Sequence, residues 1–194
     1  MLWTEQITSV LDVSNYSVIE ALRDGRTLEI RAFTAEDRTE FLSAVDRIGA
    51  RSRYLRFFTS KPDFTEAERA FFLNVDFDKH VALLALMEEK GQKVIVGGGR
   101  YVGIQPGKAE VAFVVIDEYQ GHGIGAALLR HLVIIARRAG LCALVGEVLP
   151  ENRPMLRVFE KCELPMIVTR DPEVTHVTLR LKPETDIPQA NAAV

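Results

Sequence analysis

The sequence predicts a mixed α+β domain, a mostly antiparallel sheet flanked by helices, on three observations. Apolar segments at 81–87, 94–102 and 110–116 follow one another across short turns, at Glu89, Lys90 and Gly91 and then at Pro106 and Gly107, which makes an antiparallel meander. Behind them the pattern changes to helix, strand, helix and two closing strands over 123–181. Between the two parts stands a turn with glycine at alternate positions, Gly121, Gly123 and Gly125. Antiparallel strands first and βα units second fit a mixed sheet and exclude a purely doubly wound parallel one.

Taken in order, residues 1–26 read as an N-terminal extension with a short helix over 17–23 closed by Gly25. A strand at 27–33 leads to Thr34 as helix cap, with Asp37 in the first turn. The apolar stripe of Phe41, Leu42, Val45 and Ile48 then carries a helix to Gly49. Arg51, Arg53 and Arg56 alternate with Tyr54, Phe57 and Phe58, and an amphipathic packing element explains that pattern better than a substrate site. A helix over 65–74 follows Pro62, and the meander comes next. Within it Gly97, Gly98, Gly99 and Arg100 read as a bulged or closely approached strand. The second half gives a helix at 123–139, a strand at 142–149, a helix at 152–161 and strands at 166–169 and 174–181. Nothing divides 1–182 into two domains, while 183–194, with Pro183 and Pro188, lacks periodicity and reads as a flexible tail.

Composition narrows the class. In 194 residues, 47% are hydrophobic, and 24 basic against 27 acidic side chains leave a net charge of −3. That excludes a wholly disordered chain, and it argues against a nucleic-acid or anionic-membrane binder, which needs a basic surface. Cys142 and Cys162 lack a CxxC spacing and read as reduced core thiols, against a disulfide framework or structural zinc. His80, His122, His131 and His176 show no metal-ligand spacing and no Ser-His-Asp context, so no metal is expected. The longest apolar run, 81–87, is far short of the ~18 residues of a membrane helix, and 1–10 lacks the order of a signal peptide. A cytoplasmic protein is the expectation.

The glycine turn carries the chemistry. Gly121, Gly123 and Gly125 let the backbone pass close to a ligand, and the first turn of the following helix directs unpaired N–H groups outward with the positive end of its dipole behind them. Such a turn cradles phosphate oxygens. The alternatives are a tight turn serving helix packing, and a dinucleotide site, since Gly121, Gly123 and Ala126 satisfy a loose Rossmann fingerprint. Four residues, 117–120, separate strand from glycine, and the unit follows a meander; both fit the dinucleotide site poorly.

At these residues the sequence resembles the GNAT superfamily of N-acetyltransferases, whose Gln/Arg-x-x-Gly-x-Gly/Ala hallmark is met by Gln120, Gly123 and Gly125. The order of elements around the motif follows the family through nearly the whole chain. More narrowly, 52–58, 109–113 and 146–155 are similar to the acetyltransferase domain of bacterial protein-lysine acetyltransferases. The resemblance implies a GNAT fold, with acetyl-CoA bound in a V between two parallel strands that splay apart, 110–116 and 142–149. It further implies that the backbone of Val114, Val115 and Ile116 pairs with the pantetheine arm. Past Gln120, amides of Gly121, His122, Gly123, Ile124, Gly125 and Ala126 would hold the pyrophosphate, and Asn152 would hydrogen-bond the cofactor arm. The His122 side chain itself reads rather as solvated.

Amine acetylation needs a base, because a lysine amine with pKa near ~10.4 is protonated at neutral pH. Glu110 shares a strand face with Ala112, Val114 and Ile116, which turns its carboxylate toward the groove, and the resemblance favours it as base. Glu147 interrupts an apolar strand on the other arm and is the second candidate; each also reads as a structural or solvated carboxylate. Where the family often has a tyrosine acid this chain has Phe159, so water, or Tyr119 or Tyr101, would have to protonate the leaving thiolate. The expected function is acetyl transfer from acetyl-CoA to a primary amine, a protein lysine first and a small amine second. A non-catalytic acyl-CoA-binding regulatory module stays open, as does a homodimer.

Overall fold

The computed structural model describes residues 12–181 except 60 and 62, so the expected tail at 183–194, the first eleven residues and the turn at Pro62 lie outside the described residues. Eight strands form one sheet in the order β1-β2-β3-β4-β5-β6-β8-β7. They are β1 (Ser17–Ala21), β2 (Thr27–Ala32), β3 (His80–Glu89), β4 (Gln92–Gln105), β5 (Lys108–Val115), β6 (Ala143–Val148), β7 (Met166–Arg170) and β8 (Thr175–Arg180). Five α-helices accompany them: α1 (Arg38–Asp46), α2 (Ala50–Phe57), α3 (Glu66–Leu73), α4 (Ile124–Arg138) and α5 (Arg153–Glu160). Every strand pair is antiparallel except β5 with β6.

One expected element is corrected. Residues 17–21 form a strand, not a helix, paired with β2 from Ser17↔Arg31 to Ala21↔Thr27. Its exposure alternates along the strand, and Gly25, at φ 86, closes the hairpin between them rather than a helix. The mixed sheet, the meander and the other helices stand where periodicity placed them.

β3 explains why the sheet needs helices on both faces. Residues 80–87 are all buried, so side chains of both parities must be covered. Phe113 of β5 faces Gly125 of α4 on one side, while its neighbours Ala112 and Val114 line a cavity against Phe41, Val45 and Phe57 of α1 and α2 on the other. The apolar stripe of α4, Leu128, Leu132 and Ile135 among it, is fully buried across β2 to β5, and each such side chain stabilises the fold by about 1.5–3 kcal/mol. The glycines of β4 are there for closeness, as read from the sequence. A Cβ on Gly97 would lie 2.8 Å from the Val114 carbonyl oxygen, and the β3–β4 register shifts beside it, between Ala85 and Leu86.

α5 lies on the α4 face, with Phe159 against Phe113 at 5.7 Å between ring centres. A Cβ on Gly146 would sit 2.7 Å from Phe159 Cζ. Gly146→Ala is therefore expected to destabilise by about 1–3 kcal/mol through overpacking, a Tm loss of about 2–4 °C per kcal/mol at this size. Adding Phe159→Leu should recover part of it in a thermal melt; an additive double mutant would refute the steric cause.

Candidate active site

The parallel pair β5–β6 holds for three registers, Lys108↔Ala143, Ala109↔Leu144 and Glu110↔Val145, and then ends although both strands continue. Beyond Glu110 the arms part into a V. β5 keeps β4 on its outer side and β6 keeps β8, so backbone groups facing the V have no strand partner.

On the β5 arm, Ile116 N–H donates to Val96 O at 2.9 Å and its carbonyl accepts from Tyr119 N at 2.9 Å. Both backbone groups of Ile116 thus already have partners within the protein. Antiparallel alternation turns the Val114 backbone toward β4 and that of Val115 toward the V. There Val115 O accepts from Gln120 Nε2 at 3.0 Å, which leaves the Val115 N–H facing the opening.

At the wide end of the V comes the glycine turn. Gly121 and Gly123 have φ of 83° and 94°, and a Cβ on either would meet nothing within 4 Å, so open space lies over the loop. Gly123 precedes α4, which has no side-chain cap and no acidic residue in its first turn. α3, by contrast, is capped by Thr65 and Glu68, and α5 by Asn152. The first amides of α4, including Ile124, Gly125 and Ala126, thus keep their N–H groups and the dipole's positive end for an anion. The loop is anchored from two sides. Gln120 Nε2 also reaches Ser52 Oγ of α2 at 3.0 Å and Asp117 Oδ1 at 3.3 Å. His122 Nδ1 stands 3.0 Å from Asp24 Oδ2 in the β1–β2 turn, an aspartate drawn down to about 2 chiefly by its hydrogen bond from Arg26. His122 is therefore a partnered, part-exposed side chain.

At the narrow end lies a cleft of about 320 Å³. Glu110, Glu147, Asn152 and Phe159, four residues of interest scattered over fifty positions, all line it. Glu147 occupies the odd-numbered face of β6, opposite the face where Gly146 meets Phe159, so both carboxylates sit on the sheet face that carries α2. Asn152 is 7% exposed; its Oδ1 accepts from Met155 N at 3.3 Å, leaving its amide hydrogens for the cleft. The facing wall is aromatic, with Phe57, Phe64, Phe71 and Phe72 from α2, α3 and the segment between them.

The arginines of α2 divide. Arg53 packs over Phe64 at 5.6 Å, as the packing reading expects. Arg56 enters the cleft, where burial holds its guanidinium down to about 10 against the opposing pull of the Glu110 charge. Behind it Arg100 lies over Phe72 at 5.1 Å, held by burial and by the like charge of Arg56 to about 9. Both remain cations at neutral pH. Periodicity had no means of separating Arg56 from Arg53, which share a helix. The phenols drop out as acids in the cleft. Tyr119 donates to Glu89 at 2.5 Å, and Tyr101 is 2% exposed, with burial pushing it up to about 12; neither lines the cleft. Among the described residues no His, Cys, Asp and Glu group could hold a metal ion, and no helix is long and apolar enough to cross a membrane. The two cysteines are free and half-buried.

Known proteins are similar to this chain in sequence and fold. Acetyltransferase PA5475 of Pseudomonas aeruginosa is 32% identical over 156 residues, covering 80% of this chain and 83% of that one. A crystal structure of the GNAT domain of S. lividans PAT superposes with a TM-score of 0.76 at 30% identity, covering 84% of this chain and 96% of that one. yncA of Salmonella typhimurium, a putative acetyltransferase solved with acetyl-CoA, shares the fold with a TM-score of 0.65 at 18% identity, over 84% of this chain and 98% of that one. The model of the Acetyltransferase (GNAT) family matches residues 49–163, from the residue just before α2 to the turn after α5. More than half the chain, both arms of the V and the glycine turn fall inside that match, and the chain belongs to the acetyltransferase (GNAT) family.

Proposed function

We propose that the protein transfers the acetyl group of acetyl-CoA to a lysine side chain of a protein by direct attack in a ternary complex, and that it does so in the cytoplasm. Acetyl-CoA is the co-substrate of the family, and the acceptor is our reading. The observation that carries it is the cleft at the narrow end of the V, with one carboxylate on each arm and a phenylalanine wall opposite. An ammonium on a four-carbon stem matches that surface, apolar along the stem and anionic at the tip.

In this reading the amides of residues 121–126 hold the pyrophosphate, the Val115 N–H pairs with the pantetheine arm, and Asn152 donates to it. The thioester then lies where the arms part. Deprotonating a lysine ammonium at neutral pH costs about 4–5 kcal/mol, and Glu110, with Glu147 across the V, takes that proton directly or through a water. The neutral amine attacks the thioester carbon, and backbone N–H groups at the parting strands stabilise the oxyanion. Phe159 offers no proton and neither tyrosine lines the cleft, so water protonates the departing thiolate.

Calorimetric titration of acetyl-CoA and NADH, followed by mass spectrometry of lysine peptides and small amines incubated with acetyl-CoA, tests the reading. Micromolar acetyl-CoA binding, no NADH binding and acetyl-lysine are expected. Acetylation of small amines alone would move the acceptor to that class, and binding without turnover on any amine would make the protein an acyl-CoA sensor.

A further inference from the structure

The reaction does not conserve protons within the site. An alkylammonium and a thioester give an amide, a thiol and one H⁺: of the two protons nitrogen loses, one goes to sulfur and the other has to leave. Glu110 stands within electrostatic reach of the half-buried Arg56 cation at the narrow end of the V. Glu147, on the other arm, is half-exposed. In the β6–β8 ladder it is paired directly with His176, so the two side chains share a face. His176 Nδ1 lies 3.5 Å from Glu147 Oε1, and its other nitrogen, Nε2, lies 3.2 Å from Asp171 Oδ2 in the β7–β8 turn. Carboxylate, imidazole and carboxylate thus stand in line, and Thr169 of β7 pairs with His176 on its remaining side. Glu147 lines the cleft and His176 and Asp171 do not, so an acceptor that covers Glu147 leaves their half-exposed side chains open to water.

We propose that His176, oriented by Asp171, carries the released proton from Glu147 to solvent. The inference rests on Glu147 being one of the carboxylates that receive the amine's proton. The ammonium N–H bond breaks and an O–H bond forms on Glu147. The protonated carboxyl, now a donor, closes the gap to His176 and passes the proton to Nδ1. Nε2 then releases its own proton to water beside Asp171, and the half-exposed ring exchanges its remaining proton with solvent, so that Nδ1 is free to accept again in the next turnover. His176 acts through Glu147 and is a positioning residue, not a catalytic one.

His176→Ala is expected to lower kcat about tenfold near neutral pH without changing KM for acetyl-CoA, and imidazole added to the buffer should restore the rate in proportion to its concentration. His176→Gln, which keeps a hydrogen-bonding side chain but relays no proton, serves if the alanine variant does not fold, and should be as slow. Parent kcat in both variants, or a loss that imidazole does not relieve, overturns the relay. Glu147→Gln in the same assay separates the two failures: a slow Glu147→Gln beside fast His176 variants removes the relay alone, while a fast Glu147→Gln removes the assignment of Glu147 too.

Discussion

Glu110→Gln should lower kcat about 100- to 1,000-fold, the worth of a positioned general base, while the Kd for acetyl-CoA stays near the parent's. The substitution keeps shape and hydrogen bonding and removes the ability to take a proton, so its effect isolates that one role. The residue belongs to the last β5–β6 rung, Glu110↔Val145, and its carboxylate enters the cleft within reach of the Arg56 charge. The defect carries its own check in pH. As the pH climbs toward the ~10.4 of a lysine amine the acceptor arrives already neutral, so parent and variant rates should converge. Steady-state rates with saturating acetyl-CoA and a lysine peptide across that range measure it. If Glu110→Gln and Glu147→Gln both turn over at the parent rate, carboxylate base catalysis is the wrong mechanism for this cleft.

Gly123→Asp should weaken acetyl-CoA about 100-fold or more, a loss of about 2.7 kcal/mol. The substituent does not collide with the protein, since a Cβ there meets nothing within 4 Å. Two other effects do the damage. At φ 94 a non-glycine residue pays about 1–2 kcal/mol of backbone strain. More specifically, an aspartate just before α4 brings a carboxylate to the very amides the pyrophosphate needs and repels the incoming anion. Gly123→Ala bears the strain alone and should bind acetyl-CoA better than the aspartate variant. Thermal shift reads both: saturating acetyl-CoA raises the parent's Tm by mass action and leaves Gly123→Asp unmoved. An aspartate variant that binds as the parent does would place the phosphates elsewhere.

The contrast between what the chain discloses and what it hides follows from the range of the interactions. The meander was legible because β3 to β5 are joined by turns whose glycines and proline are local signals, and α4 because fifteen residues sustain one stripe. β1 was not. Five residues, Ser17–Ala21, contain too few periods to separate strand from helix, and what decides is pairing with β2, a tertiary fact. The site divides likewise. The glycine turn and the Asn152 cap are written in consecutive residues, and alternation alone puts Glu110 on the face of Ala112 and Val114. Arg56, the phenylalanine wall and His176 join the cleft or its rim from segments far apart in sequence, and only the closed sheet brings Glu147 opposite His176. The engagement of Ile116 with Val96 and Tyr119 was hidden for the same reason.

The three-rung union of β5 and β6 also sets a constraint on how this enzyme can change. Side chains on a strand alternate, so moving the fork by one residue would not merely lengthen or shorten the opening. It would exchange, on both arms at once, which parity looks across the gap, turning Val111 and Gly146 inward and the two glutamates toward α4. Ala109 and Leu144, both without exposed surface, lock the parity from inside. Drift in the surrounding loops can tune which acceptor is admitted, but the fork itself can shift only in steps of two, because a single-residue slip in either arm would turn a glutamate toward the apolar face of α4.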